Sequence, residues 1–112
     1  MRRKSIAGIP TEVKSAVQRI DREAKVILFG SRARGDHHAD SDWDFLILTP
    51  RKASAFYQDQ IRELLYELEL AREQVITSII ESEEDWIHYR ESELYQVVLR
   101  EGIEIVSPKA AA

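Results

Sequence analysis

Lys25-Val26-Ile27-Leu28-Phe29-Gly30-Ser31-Arg32-Ala33-Arg34-Gly35 is followed, after the polar residues 36–40, by Ser41-Asp42-Trp43-Asp44-Phe45-Leu46-Ile47-Leu48-Thr49. The first apolar run is short and ends at Gly30, the pattern of a buried strand. Residues 31–35 are too few and too polar for another strand, so they read as a turn or one turn of helix. Asp36 to Ser41 reads as loop. Trp43 to Thr49 is a second strand, stopped by Pro50. Sequence alone does not fix the relative direction of the two strands.

The chain on either side fills out a layer. Pro10-Thr11-Glu12 opens a helix with Thr11 as its N-cap, and Val13, Ala16, Val17 and Ile20 follow at helical spacing. That helix is expected to end between Asp21 and Ala24. From Ala53 to about Arg72, Tyr57, Ile61, Leu64, Leu65 and Leu68 share one helical face. Gln74 to Ile80 is a third strand. Ser82-Glu83-Glu84-Asp85 caps a helix that runs through Leu94, Val97 and Val98 to Glu101, where Gly102 ends it. Ile103 to Val106 is a short last strand. Strands alternating with helices make an α/β (α+β) fold: a small mixed sheet with helices packed on it. Its 112 residues are one domain's worth, so residues 1–112 read as one domain with its motif core at 26–49.

Composition narrows the function. Apolar residues are 44% and charged residues 32%, with a net charge of -4. The acidic balance argues against a nucleic-acid partner. No cysteine is present, which excludes disulfides, thiolate metal sites and a cysteine nucleophile. No apolar run approaches a membrane span, and the basic Met1 to Lys4 is not followed by a signal-peptide core. The expectation is a cytoplasmic protein whose first residues are a frayed, solvated terminus.

The chemistry concentrates where the first strand ends and the second begins. Glycine at position 30 lets the backbone approach a ligand closely. The amides that follow are unpaired donors suited to phosphate, and the Ser31 hydroxyl adds another. Arg32 and Arg34 bring charge and bidentate geometry. Asp42 and Asp44 lie two apart at the head of a strand, so they share a face about 6.6 Å apart along its axis. Two carboxylates there suit a hard cation such as Mg²⁺. Trp43 and Phe45 take the opposite face and enter the core. His37 and His38 read as solvated loop, His88 as structural, and Trp86 as core. Tyr57, Tyr66, Tyr89 and Tyr95, with the outer face of the long helix, are the candidates for a partner or self-association surface.

Phe29-Gly30-Ser31, ten intervening residues, then Asp42-Trp43-Asp44-Phe45 resembles the signature of the DNA polymerase β-like nucleotidyltransferase superfamily. The version Gly30-Ser31-Arg32-Ala33-Arg34-Gly35, with Ser41 before the first aspartate, most resembles the minimal nucleotidyltransferases of prokaryotes. The resemblance implies the polymerase β-like fold, a nucleoside triphosphate (usually ATP) and Mg²⁺ or Mn²⁺. It implies transfer of a nucleoside monophosphate to a hydroxyl acceptor. Gly30, Ser31, Arg32, Arg34 and Ser41 then hold nucleotide, and Asp42 and Asp44 are the catalytic metal ligands. It further implies a HEPN-type helical toxin as partner, a tyrosine of which is one acceptor. Active members usually carry a third carboxylate on the next core strand. Here that position falls on Thr77 or Ser78, with Glu73 and Glu81 at the strand ends as substitutes. The alternative is a catalytically weakened nucleotide-binding antitoxin that acts by protein–protein binding.

Overall fold

In the computed structural model, which describes residues 1–108, the order is β1 (Arg2–Lys4), α1 (Ile9–Ile20), β2 (Lys25–Phe29), α2 (Ser31–Arg34), β3 (Trp43–Thr49), α3 (Ala55–Arg72), β4 (Ile76–Ser82), α4 (Glu83–Ile87), α5 (Glu93–Glu101) and β5 (Ile103–Ile105). The five strands form one mixed sheet in the order β1-β5-β2-β3-β4. β2 runs antiparallel to both β3 and β5, β4 is parallel to β3, and β1 is parallel to β5. The expected mixed sheet with packed helices is the fold observed, and the long link between β2 and β3 joins antiparallel neighbours.

Alternation along the strands sends side chains to two cores. Val26 opposite Ile47 and Leu28 opposite Phe45 join Val13, Val17, Tyr57, Ile61 and Leu65 beneath α1 and α3. Ile27, Phe29, Leu46 and Leu48 face the other way and pack with Trp86 of α4 and Val98 of α5. Trp43 lies against the first core, half-buried, while Phe45 is fully buried within it. Trp86 is core as expected, stacked on Tyr95 at 5.1 Å between ring centroids. Tyr57 is also core, so it leaves the set of candidate surface aromatics; Tyr66 and Tyr89 are exposed.

Four local expectations are corrected. The N-terminal residues form a strand, because β5 offers an edge that Arg2, Arg3 and Lys4 can pair with. All three side chains are exposed, so no hydrophobic pattern announces the strand. Thr11 is not the N-cap: Gly8 is, with φ 87°, and the Thr11 hydroxyl donates instead to the Ile6 carbonyl. β4 spans Ile76–Ser82 rather than 74–80, since α3 runs to Arg72 and closes on Glu73 in the left-handed region. The helix expected over 82–101 is two helices. Ser82 caps α4 through the Asp85 amide, and Ser92 starts α5 afresh through the Tyr95 amide. Among the described residues no helix is long and apolar enough to cross a membrane.

Candidate active site

β2 ends at Phe29, directly opposite Asp44. The next residue, Gly30, has φ 78° and ψ -162°, a conformation essentially reserved for glycine. A Cβ on Gly30 would stand 2.3 Å from Asp44 Oδ2. Two independent constraints therefore demand glycine, and one of them is the carboxylate itself. The chain then turns into α2, whose start has no side-chain cap. Its leading amides, those of Ser31 and Arg32, are left as donors at the strand end. Asp42 is exposed and Asp44 half-buried, on the sheet face that carries α4 and α5. Burial raises the Asp44 carboxyl above its ordinary pKa, and the neighbouring charges of Asp42 and Glu101 push the same way against Arg34. Such repulsion among acids is the kind that a bound cation relieves.

The two arginines have different work. Arg32 donates to the Ser41 carbonyl from Nε at 3.3 Å and from Nη2 at 3.1 Å, and to the Ala39 carbonyl at 3.2 Å. Its guanidinium also lies 4.3 Å from the centroid of the Trp43 ring. The Trp43 indole donates to Gln74 Oε1 at 2.6 Å, and the Ser41 hydroxyl accepts from the His38 amide at 2.8 Å. Arg32, Ser41 and Trp43 thus brace the loop that delivers Asp42 and Asp44. Arg34 instead points across α2, pairing with Asp36 at 3.1 Å and with both oxygens of Glu101 at 3.1 and 3.2 Å. Glu101 Oε1 also accepts from the Gly30 amide at 2.9 Å. The sequence reading missed Glu101 as part of this site. One signal was available, an acid in the last turn of a helix, where the dipole favours bases.

A family model described as a nucleotidyltransferase domain matches residues 10–105. The chain belongs to the nucleotidyltransferase domain family. The resemblance to minimal nucleotidyltransferases of the polymerase β-like superfamily therefore stands, and the sheet and helices are those of that fold. Solved structures share the fold at low identity. One is a toxin–antitoxin with AMP-PNP, 18% identical, with TM-score 0.64 over 93% of this chain and 77% of that one. Another is the toxin–antitoxin MntA–HpeT with two aspartates, two positions apart, replaced by glutamate; it is 15% identical, with TM-score 0.61 over 91% and 75%. A third is MntA–HpeT with a tyrosine replaced by alanine, 20% identical, with TM-score 0.55 over 85% and 70%. No curated protein matches the sequence.

The register of β4 separates the two residues expected at the place of the third carboxylate. Thr77 lies opposite Asp44 and is exposed on the same face, whereas Ser78 lies opposite Phe45 and faces the α1–α3 side. Glu81 pairs with Leu48, four residues along from Thr77, about 13 Å away at strand rise. Glu73 is the C-cap of α3. Among the described residues no three of His, Cys, Asp and Glu gather as a metal-ligand group. His37 and His38 are exposed in the loop, and His88 is the C-cap of α4.

Proposed function

We propose that the chain transfers a nucleoside monophosphate, AMP from ATP, to a hydroxyl acceptor in a metal-dependent reaction. The observation that carries this reading is the Gly30–Asp44 junction, where a carboxylate sits in the space a Cβ would fill, beside uncapped amides. In this reading Gly30 and Ser31 hold phosphate oxygens, and Arg34 supplies charge. Arg32 and Ser41 act through the loop they brace, presenting Asp42 and Asp44. The two carboxylates are hard oxygen donors and fit Mg²⁺ or Mn²⁺, with triphosphate oxygens and water to complete the shell. A bound metal would supply charge stabilisation at the phosphates. The acceptor hydroxyl gives its proton to solvent as its oxygen attacks the α-phosphorus; a new P–O bond forms, the α–β bridging bond breaks, and pyrophosphate leaves with the electron pair.

Support for ATP comes from the AMP-PNP in a neighbour of this fold. Support for the aspartates comes from their spacing of two, which the double Asp-to-Glu mutant of another neighbour shares. Toxin–antitoxin neighbours support an antitoxin role with a toxin as partner; that this toxin is a helical HEPN-type protein with a tyrosine as acceptor rests on the family resemblance. The test is calorimetric titration of ATP with and without Mg²⁺ into the wild type and the Asp42→Asn, Asp44→Asn double variant. Metal-dependent binding that the variant loses is the expected result; equal binding by both would sink the proposal.

Thr77 favours a second reading, a weakened transferase that acts mainly by binding nucleotide and partner. Its position opposite Asp44 makes the reading testable. Thr77→Asp should raise the rate of label transfer from α-labelled ATP to an acceptor by about a hundredfold or more, the range that proton transfer by a positioned base contributes. An unchanged rate would remove the reason for calling the site weakened.

A further inference from the structure

Glu101 closes α5, at the end of the helix where a negative charge is unfavourable. Its partners lie far off in sequence: the Gly30 amide at 2.9 Å and Arg34 Nη1 at 3.1 and 3.2 Å. The side chain is only 14% exposed. The helix end beneath it is fixed, since the Gly102 amide donates to the Val98 carbonyl at 2.8 Å. A Cβ at Gly102 would also stand 2.4 Å from that oxygen and 3.0 Å from Ile27. Packing of α5 on β2 therefore holds a carboxylate against the β2–α2 junction.

An amide N–H and a guanidinium are the donors that a phosphate oxygen seeks, and a carboxylate oxygen satisfies them in the same way. Arg34 is matched twice over, by Glu101 and by Asp36 at 3.1 Å, so its charge is neutralised before any ligand arrives. We propose that Glu101 is an internal anion filling part of the phosphate cradle. A polyphosphate binds by taking the Gly30 amide and Arg34 from it. Glu101 is then a positioning residue that keeps both donors in place and sets the affinity for nucleotide. This rests on the nucleotide-site reading above.

Glu101→Gln keeps the shape and one acceptor oxygen but removes the charge. The probe is inorganic tripolyphosphate in metal-free buffer, added to the ¹⁵N-labelled full chain while the Gly30 amide resonance is followed. The Gly30 amide is expected to shift in both proteins, with half-saturation about tenfold lower in the variant, the scale of one charge-assisted hydrogen bond. In the wild type the Glu101 side-chain carboxyl carbon should shift in step with that amide, a readout that needs no variant. Equal or weaker binding by Glu101→Gln, as a purely structural role for Glu101 would give, overturns the proposal. So does a Gly30 amide that moves in neither protein, or a Glu101 carboxyl that stays still while Gly30 moves. The nucleotide reading is judged separately, by Mg²⁺-dependent ATP binding and its loss in the Asp42→Asn, Asp44→Asn variant. Tripolyphosphate behaviour as expected, with no Mg²⁺-dependent ATP binding, would sink that reading and leave the placeholder standing.

Discussion

At Gly30 the backbone and the Asp44 side chain compete for one volume, and the two glycines flanking α2 separate the effects. Gly30→Ala meets both the φ of 78° and the 2.3 Å contact with Asp44 Oδ2. Gly35 has φ 89° but open space where its Cβ would go. Each alanine variant should lose about 1–3 kcal/mol from backbone strain, measured by urea unfolding. Only Gly30→Ala should also lose Mg²⁺-dependent ATP binding, because only there must Asp44 move. Asp44 itself is held at a cost, half-buried beside Asp42 and Glu101 with its carboxyl pKa raised. Asp44→Asn should therefore unfold at higher urea than the wild type in metal-free buffer at neutral pH. A lower midpoint would show that the carboxylate is a net structural asset instead. Gly30, Ser31, Asp42 and Asp44 were legible as a candidate site from residue type and spacing. Glu101 was not, because the 71 residues separating it from Gly30 are closed only by the packing of α5 on β2.

Among the elements, β2, β3 and α3 lay close to their expected bounds because each has strong periodicity and a clear stop. The region from Ser82 to Glu101 was harder. Trp86, Leu94, Val97 and Val98 are compatible with one helix, and residues 88–92 contain neither glycine nor proline. The break is set by tertiary contact: Trp86 stacks on Tyr95 with centroids 5.1 Å apart, so the chain must double back between them. Ser92 then caps the new start, its hydroxyl accepting from the Tyr95 amide at 3.1 Å. Ser92→Ala should cost about 1 kcal/mol in urea unfolding. Serine-to-alanine in the middle of a continuous helix would be neutral or mildly stabilising, so the sign of the change distinguishes the two descriptions.

Across the whole molecule, the end of the sheet away from the site is tied by one carboxylate. Asp21, just past α1 and 5% exposed, accepts from the Thr49 hydroxyl at 2.6 Å and the Tyr57 hydroxyl at 2.9 Å. It also accepts from Arg51 at 2.7 Å and from the Glu23 amide at 3.1 Å. It joins the ends of α1 and β3 to the start of α3. Burial pushes its pKa up, but the hydrogen bonds from Thr49, Tyr57 and Glu23 and the charge of Arg51 outweigh that and lower it. Burial is also the main reason the Tyr57 phenol is pushed up to about 12, so it stays a donor. Asp21→Ala leaves buried hydroxyls without their acceptor, a loss of about 1–3 kcal/mol for each. Because the folded pKa lies below the unfolded value of about 3.9, the Asp21 contribution is complete above that pH and is lost as pH falls through the folded pKa. Acid titration of stability should show a component below about pH 4 that Asp21→Ala lacks. An identical acid limb in both proteins would rule out the tie.

The sequence by itself determined the class of fold, the two strands flanking the turn, and the glycine, serine and two aspartates of the candidate site. These are local matters, since strand periodicity, a chain stop and a two-residue spacing on one face need no distant partner. The tertiary structure alone decided the direction of β2 against β3, the pairing of residues 2–4 with β5, and the division of α4 from α5. It also decided that Thr77 rather than Ser78 stands opposite Asp44, and that Glu101 reaches Gly30. Each of these depends on sheet register or helix docking, where residues far apart in the chain meet only once the two cores have closed.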